Sequence, residues 1–128
     1  MKTLEIESTE RNPGIKFDYD HHYFEIIGEA YPENSDEFFR PIMESLQEYS
    51  GLGSSETITF VFKLIYFNSS SARVFMKLFE LLDEMAEERS VEIEWHYHEE
   101  DDTMEEFGEE FAEDMENASF QLKSHNDG

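Results

Sequence analysis

Three consecutive hydroxyls, Ser69, Ser70 and Ser71, follow Asn68 at the end of the apolar run from Thr57 to Phe67. An amphipathic helical pattern begins at once, over Ser71 to Arg89, with Ala72, Val74, Phe75, Leu78, Phe79, Leu81, Leu82, Met85 and Ala86 on one half. Two uses compete for serines in that position. One of them can cap the helix, the commoner use. Alternatively, one accepts a phosphoryl group, because the first turn offers unpaired N–H groups and the positive end of the helix dipole. With Ser69 at the cap, Arg73 falls one turn later and can pair with the added charge. A serine hydrolase is disfavoured, since there is no G-x-S-x-G elbow and no histidine close in sequence to act as base.

The remaining candidates are weaker. His96 and His98 alternate on the solvent side of a strand, opposite Trp95 and Tyr97, and His21 and His22 lie in a turn. Two histidines without a third fixed ligand read as surface residues rather than a metal site. Between Glu99 and Glu116, 11 of 18 residues are carboxylates. Neither the calcium-loop spacing nor its glycine is present, so a solvated helix face is expected first and a docking surface for a basic partner second. Gly51-Leu52-Gly53 precedes a strand and lacks a phosphate-binding lysine. No catalytic constellation, cofactor or metal is expected.

The elements that position these residues can be traced along the chain. Leu4–Ser8 reads as a short edge strand. The alternating segments 15–19 and 23–30, broken at Asp20-His21-His22, read as a β-hairpin. Asn34 caps a helix that runs to about Tyr49, with Glu37 three residues on to return the bond and Pro41 inside it. The 57–67 run is apolar on both faces. Ile58, Phe60, Phe62, Leu64 and Tyr66 share one face, and Val61, Ile65 and Phe67 the other, which predicts a central strand covered on both sides. Residues 91–97 alternate as another strand, Asp101 to Thr103 open a helix to about Glu116, and 118–123 form a last short strand. Residues 1–3 and 124–128 read as frayed ends. The order β-β-β-α-β-α-β-α-β predicts one α/β domain spanning residues 1–128.

Composition sets the remaining bounds. The 128 residues include 12 Phe, enough aromatic surface for a real core. Nine basic residues against 32 acidic ones give a net charge of −23. That balance opposes nucleic acid and anionic membranes, and suits protein partners. Cysteine is absent, which excludes disulfides and thiol chemistry. No leader or membrane-spanning run is visible, so a cytoplasmic location is expected.

The segments Gly28-Glu-Ala-Tyr31-Pro-Glu-Asn-Ser35, Leu64-Ile-Tyr-Phe-Asn68-Ser-Ser-Ser71, Trp95-His-Tyr97 and Phe107-Gly-Glu-Glu-Phe111 resemble the SiaC family of regulatory phosphoproteins. The resemblance spans roughly residues 10–123. It implies a STAS-like fold, similar to anti-sigma-factor antagonists, with a mixed sheet and helices mainly on one face. It further implies a non-enzymatic partner switch, phosphorylated by a dedicated Ser/Thr kinase and reset by a PP2C-type phosphatase. The unphosphorylated form would activate a diguanylate cyclase, linking it to cyclic-di-GMP signalling and biofilm control. The matching acceptor is Ser69, with Ser70 as alternate, and Asn68, Ser70, Ser71 and Arg73 shape the junction. An antagonist-like regulator of another partner, or a small metal-dependent enzyme, is the rival.

Overall fold

In the computed structural model, which describes residues 1–126, six strands form one mixed sheet in the order β1-β2-β3-β4-β5-β6. The strands are β1 (Leu4–Ile6), β2 (Gly14–Asp18), β3 (Tyr23–Ala30), β4 (Ile58–Phe67), β5 (Val91–His98) and β6 (Ser119–His125). The first three pair antiparallel, and β3 to β6 pair parallel. Helices α1 (Ser35–Ser50), α2 (Ser69–Met85) and α3 (Asp102–Glu113) make the crossovers between the parallel neighbours. Right-handed crossovers that all step in one direction put the three helices on the same face. The other face carries Lys16, Glu25, Lys63, Glu92 and Glu94, and no helix covers it.

The strand alternation sends apolar residues toward the helices in rows that cross the sheet. Phe17, Phe24, Phe60, Ile93 and Phe120 make one row, and Ile15, Ile26, Phe62, Trp95 and Leu122 the next. Phe39, Ile42 and Leu46 of α1, Phe75, Phe79 and Leu82 of α2, and Phe111 of α3 close over them as one buried cluster. Burying each such side chain contributes about 1.5–3 kcal/mol, which offsets the repulsion among so many carboxylates.

Several sequence expectations need correction. The helix expected from Ser71 starts at Ser69, because Asn68 rather than a serine takes the cap. It ends at Met85 rather than Arg89, and α3 ends at Glu113 rather than near Glu116. Residues 124 and 125 belong to β6, paired with Tyr97 and His98, so the expected fraying does not begin at 124. Residues 127 and 128 lie outside the described part.

The face assignment of β4 also changes. Gly28 pairs with Leu64 but Glu29 pairs with Tyr66, so Ile65 is an extra residue in a β-bulge. A bulge reverses the alternation beyond it. Phe67 therefore turns inward onto Phe75 and Phe107, while Ile65 and Tyr66 turn out, 69% and 50% exposed. The strand is central in the sheet with helices on one face only, and on the helix-free face Val61, between Glu25 and Glu94, is still buried while Lys63 is exposed.

Asp83, near the end of α2, ties down the segment leading into β6. Its carboxylate accepts backbone N–H bonds from Glu116, Asn117 and Ala118 at 2.8–3.2 Å. Burial pushes its pKa up, but the three amide donors together outweigh it and hold the group below the ordinary carboxylate value. A lowered folded-state pKa stabilises the fold above the unfolded value of about 4, and this is lost as pH falls through the folded value. We expect Asp83→Asn to cost about 1–2 kcal/mol at pH 7, since charged acceptors of this kind are partly screened by water. Urea midpoints should show that gap shrinking below about pH 4. A gap unchanged down to pH 3 would remove the carboxylate from the account.

Candidate functional site

The parallel strands β3, β4 and β5 all end at one edge of the sheet, so the N-termini of α1, α2 and α3 gather there. At the middle of that edge the β3–β4 pairing continues one step past the strands, with Asn68 N–H donating to the Ala30 carbonyl at 3.2 Å. This bond fixes where β4 stops. Asn68, with extended backbone, then turns its side chain over the first turn of α2, and its Oδ1 accepts from Ser71 N–H at 2.9 Å. Asparagine is among the best residues for this purpose.

Because Asn68 takes the cap, Ser69, Ser70 and Ser71 occupy the first three helical positions. They differ in environment. Ser69 is exposed, and its hydroxyl makes no bond among the described residues. Ser70 is half-buried, and Ser71 is fully buried at 0% exposure. The Ser71 hydroxyl meets that of Ser35 at 3.3 Å, joining the starts of α2 and α1. Ser35 closes one of the segments that carry the family resemblance, but it was not singled out from the sequence as a site residue. Its signal was the Asn-Ser pair at 34–35, which matches Asn-Ser at 68–69. Ser71 itself could have been placed inside, since it precedes Val74 and Phe75 by three and four positions on the buried face of α2.

The three helix starts are electrostatically unequal. α1 carries Asp36 and Glu37 in its first turn, and α3 carries Asp102 and Glu105. The first turn of α2 carries no acidic residue. In a chain with 32 carboxylates, the dipole of this one helix start is left uncompensated and its first hydroxyl points to water. Arg73, one turn on, is exposed and makes no ion pair among the described residues.

Aromatic and apolar groups flank this start. Tyr66, turned out by the bulge, packs edge-on against Tyr31 at 5.6 Å, and Arg11 lies 5.3 Å over the Tyr31 ring. Ile65, the residue before Tyr66, is also exposed. Exposed large apolar side chains next to an open helix start have the character of a docking surface.

Comparisons with known proteins place the family and the overall fold. The chain matches the SiaC family regulatory phosphoprotein profile over residues 6–125. It belongs to the SiaC family. A protein of Pseudomonas aeruginosa strain UCBPP-PA14 is 30% identical over 128 residues, which is 99% of this chain and 100% of that protein. The structure of apo-SiaC from Pseudomonas aeruginosa superposes with a TM-score of 0.84 at 30% identity, covering 98% of this chain and 99% of the other. SiaC bound to the diguanylate cyclase SiaD, of which it is the activator, superposes at 0.89 and 30% identity, covering 95% and 99%. The mixed six-stranded sheet with three helices is thus a SiaC-family fold.

The other candidates stand apart from this edge or are already engaged. His21 bonds Asp18 and His96 bonds Glu94, each at 2.9 Å. Among the described residues no group of three histidines or carboxylates is placed to hold a metal. Asp101 caps α3 through Met104 N–H at 3.0 Å, and most of the carboxylates of α3 face water. No helix among the described residues is long and apolar enough to cross a membrane.

Proposed function

We propose that this chain is a non-enzymatic partner switch controlled by reversible phosphorylation of Ser69. The observation that carries the reading is the start of α2. Among the described residues it is the one crossover helix without an acidic first turn, and its first residue is an exposed serine. A phosphoryl there adds about −1.5 to −2 charges, which the helix dipole favours and which Arg73, four residues on, is placed to pair. Ser70 is less accessible, and Ser71 is closed to a kinase by its burial. Asn68 and Ser71 hold the junction in shape.

Unphosphorylated, the surface of Ile65, Tyr66 and Ser69 binds and activates a diguanylate cyclase, as SiaC does SiaD. Phosphorylation by a Ser/Thr kinase places charge within that surface and disfavours the complex without unfolding the domain. A PP2C-type phosphatase restores it, in the cytoplasm where cyclic-di-GMP acts. The kinship with STAS-type antagonists rests on the same logic of a phosphoacceptor at a helix start.

Two measurements test this. Phosphopeptide mapping of the protein from its native cell should place a single phosphoryl on Ser69. Purified diguanylate cyclases, SiaD of Pseudomonas aeruginosa first and then those of the native cell, should show faster cyclic-di-GMP formation with the unphosphorylated chain. A phosphoryl on Ser70 would move the acceptor. Stimulation of no cyclase would replace the output enzyme with another partner.

A further inference from the structure

The exposed side of α2 continues well past its first turn. Ser69, Arg73, Met76, Glu80 and Asp83 follow one another at intervals of four, three, four and three residues, so they share one face of the helix. At 1.5 Å per residue this stripe runs about 20 Å from the acceptor. Its far half opens into a cleft between α2 and the end of α3, with a volume of about 190 Å³. Met76, Phe79, Phe111 and Met115 line the cleft, and Glu80 and Asp114 stand at its rim. Met76 is 49% exposed, while the other large apolar side chains of α2 are buried or, at Leu81, half-buried.

We propose that this cleft is a second anchor point for the output enzyme, receiving one apolar side chain of a segment that carries lysine or arginine beside it. The inference rests on the switch reading above and extends it along α2. Three observations favour that occupant. A cavity of about 150 Å³ accepts a benzene ring, so this cleft has room for a leucine- or phenylalanine-sized group. Methionines at its mouth adapt to the shape of what they receive. The rim carboxylates Glu80 and Asp114 are exposed and make no ion pair among the described residues, so a cation beside the anchor would complete them. A second copy of this chain is a poor fit, because its own charge of −23 meets the same rim. Asp83 is not part of the recognition, its carboxylate being held by the 116–118 amides.

The test uses the full chain and the full-length cyclase that it stimulates, beginning with SiaD, and reads affinity by titrating cyclic-di-GMP formation. Met76→Glu should weaken binding about tenfold, because it puts a charge where the anchor is buried. The pair Glu80→Lys with Asp114→Lys should weaken it comparably, while Glu44→Lys, an exposed reversal on α1, should change it less than twofold. All these sites are exposed, so melting temperatures should stay near the parent value. If Met76→Glu and the rim pair bind like the parent while Ser69→Asp does not, the partner stops short of the cleft and this inference falls alone. If the rim pair and Glu44→Lys weaken binding alike, overall charge rather than the cleft is responsible, and the inference also falls. If Ser69→Asp binds like the parent, the switch reading itself fails.

Discussion

Ser69→Asp should weaken stimulation of the cyclase by at least about tenfold and leave the fold as stable as before, or more so. The two halves of that result have one cause. A negative charge at the first position of α2 meets the positive end of a dipole that no carboxylate now compensates, which is worth about 0.3–1 kcal/mol. The same charge lies beside the apolar surface of Ile65 and Tyr66, where a partner must exclude water. Loss of binding with an unchanged or raised melting temperature cannot come from unfolding. Ser69→Ala should bind like the parent and be insensitive to the kinase, since the cap belongs to Asn68 and no bond to the hydroxyl is lost. Arg73→Gln tests the pairing separately, and should leave the unphosphorylated complex intact while speeding removal of the phosphoryl. Equal stimulation by Ser69→Asp and Ser69→Ala would sink the mechanism.

Much of this was legible before the structure, and the parts that were not share a cause. The hairpin, the apolar central strand and the Asn34 and Asp101 caps are local signals, carried by alternation and by side chains that bond within three residues. The start of α2 was misplaced by two residues because four consecutive polar residues each qualify as a cap, and only the Asn68 N–H bond to Ala30 decides among them. That bond joins positions 38 apart. The faces of β4 failed for the same reason. A bulge at Ile65 is a property of the pairing with β3, and no pattern within 57–67 announces it. The acceptor itself was narrowed by resemblance, not by periodicity. What the structure adds is the ordering of three equal hydroxyls into exposed, half-buried and buried.

Gly108 shows how far the site depends on packing behind it. A glycine inside a helix costs about 1 kcal/mol relative to alanine, so a glycine in the middle of α3 calls for a reason. The reason is Trp95. A β-carbon at 108 would stand 2.5 Å from Trp95 Cδ1 and 2.9 Å from its Nε1. The indole has nowhere to go: it is fully buried, its N–H donates to the Met104 carbonyl at 2.9 Å, and Phe62, Phe67 and Phe111 surround it. The Gly108→Ala variant gains helix propensity, but the overpacking costs about 1–3 kcal/mol or more, so the net effect is destabilising. At about 3–6 °C per kcal/mol for this size, the melting temperature should drop by several degrees. Trp95 is the chain's single tryptophan, so intrinsic fluorescence should shift as the indole is disturbed. The disturbance should also reach the switch. Phe107 of α3 packs against Phe67 with the rings tilted at 55° and 4.8 Å apart, and Phe67 is the residue before the cap of α2. Cyclase stimulation should therefore fall as well, though less than for Ser69→Asp. Shrinking the indole with Trp95→Phe should restore part of the loss in the double variant, a coupling that independent sites would not show. An unshifted emission and melting temperature in Gly108→Ala would mean that α3 yields without cost, and the chain of contacts from Gly108 through Trp95 and Phe67 to the start of α2 would then carry nothing.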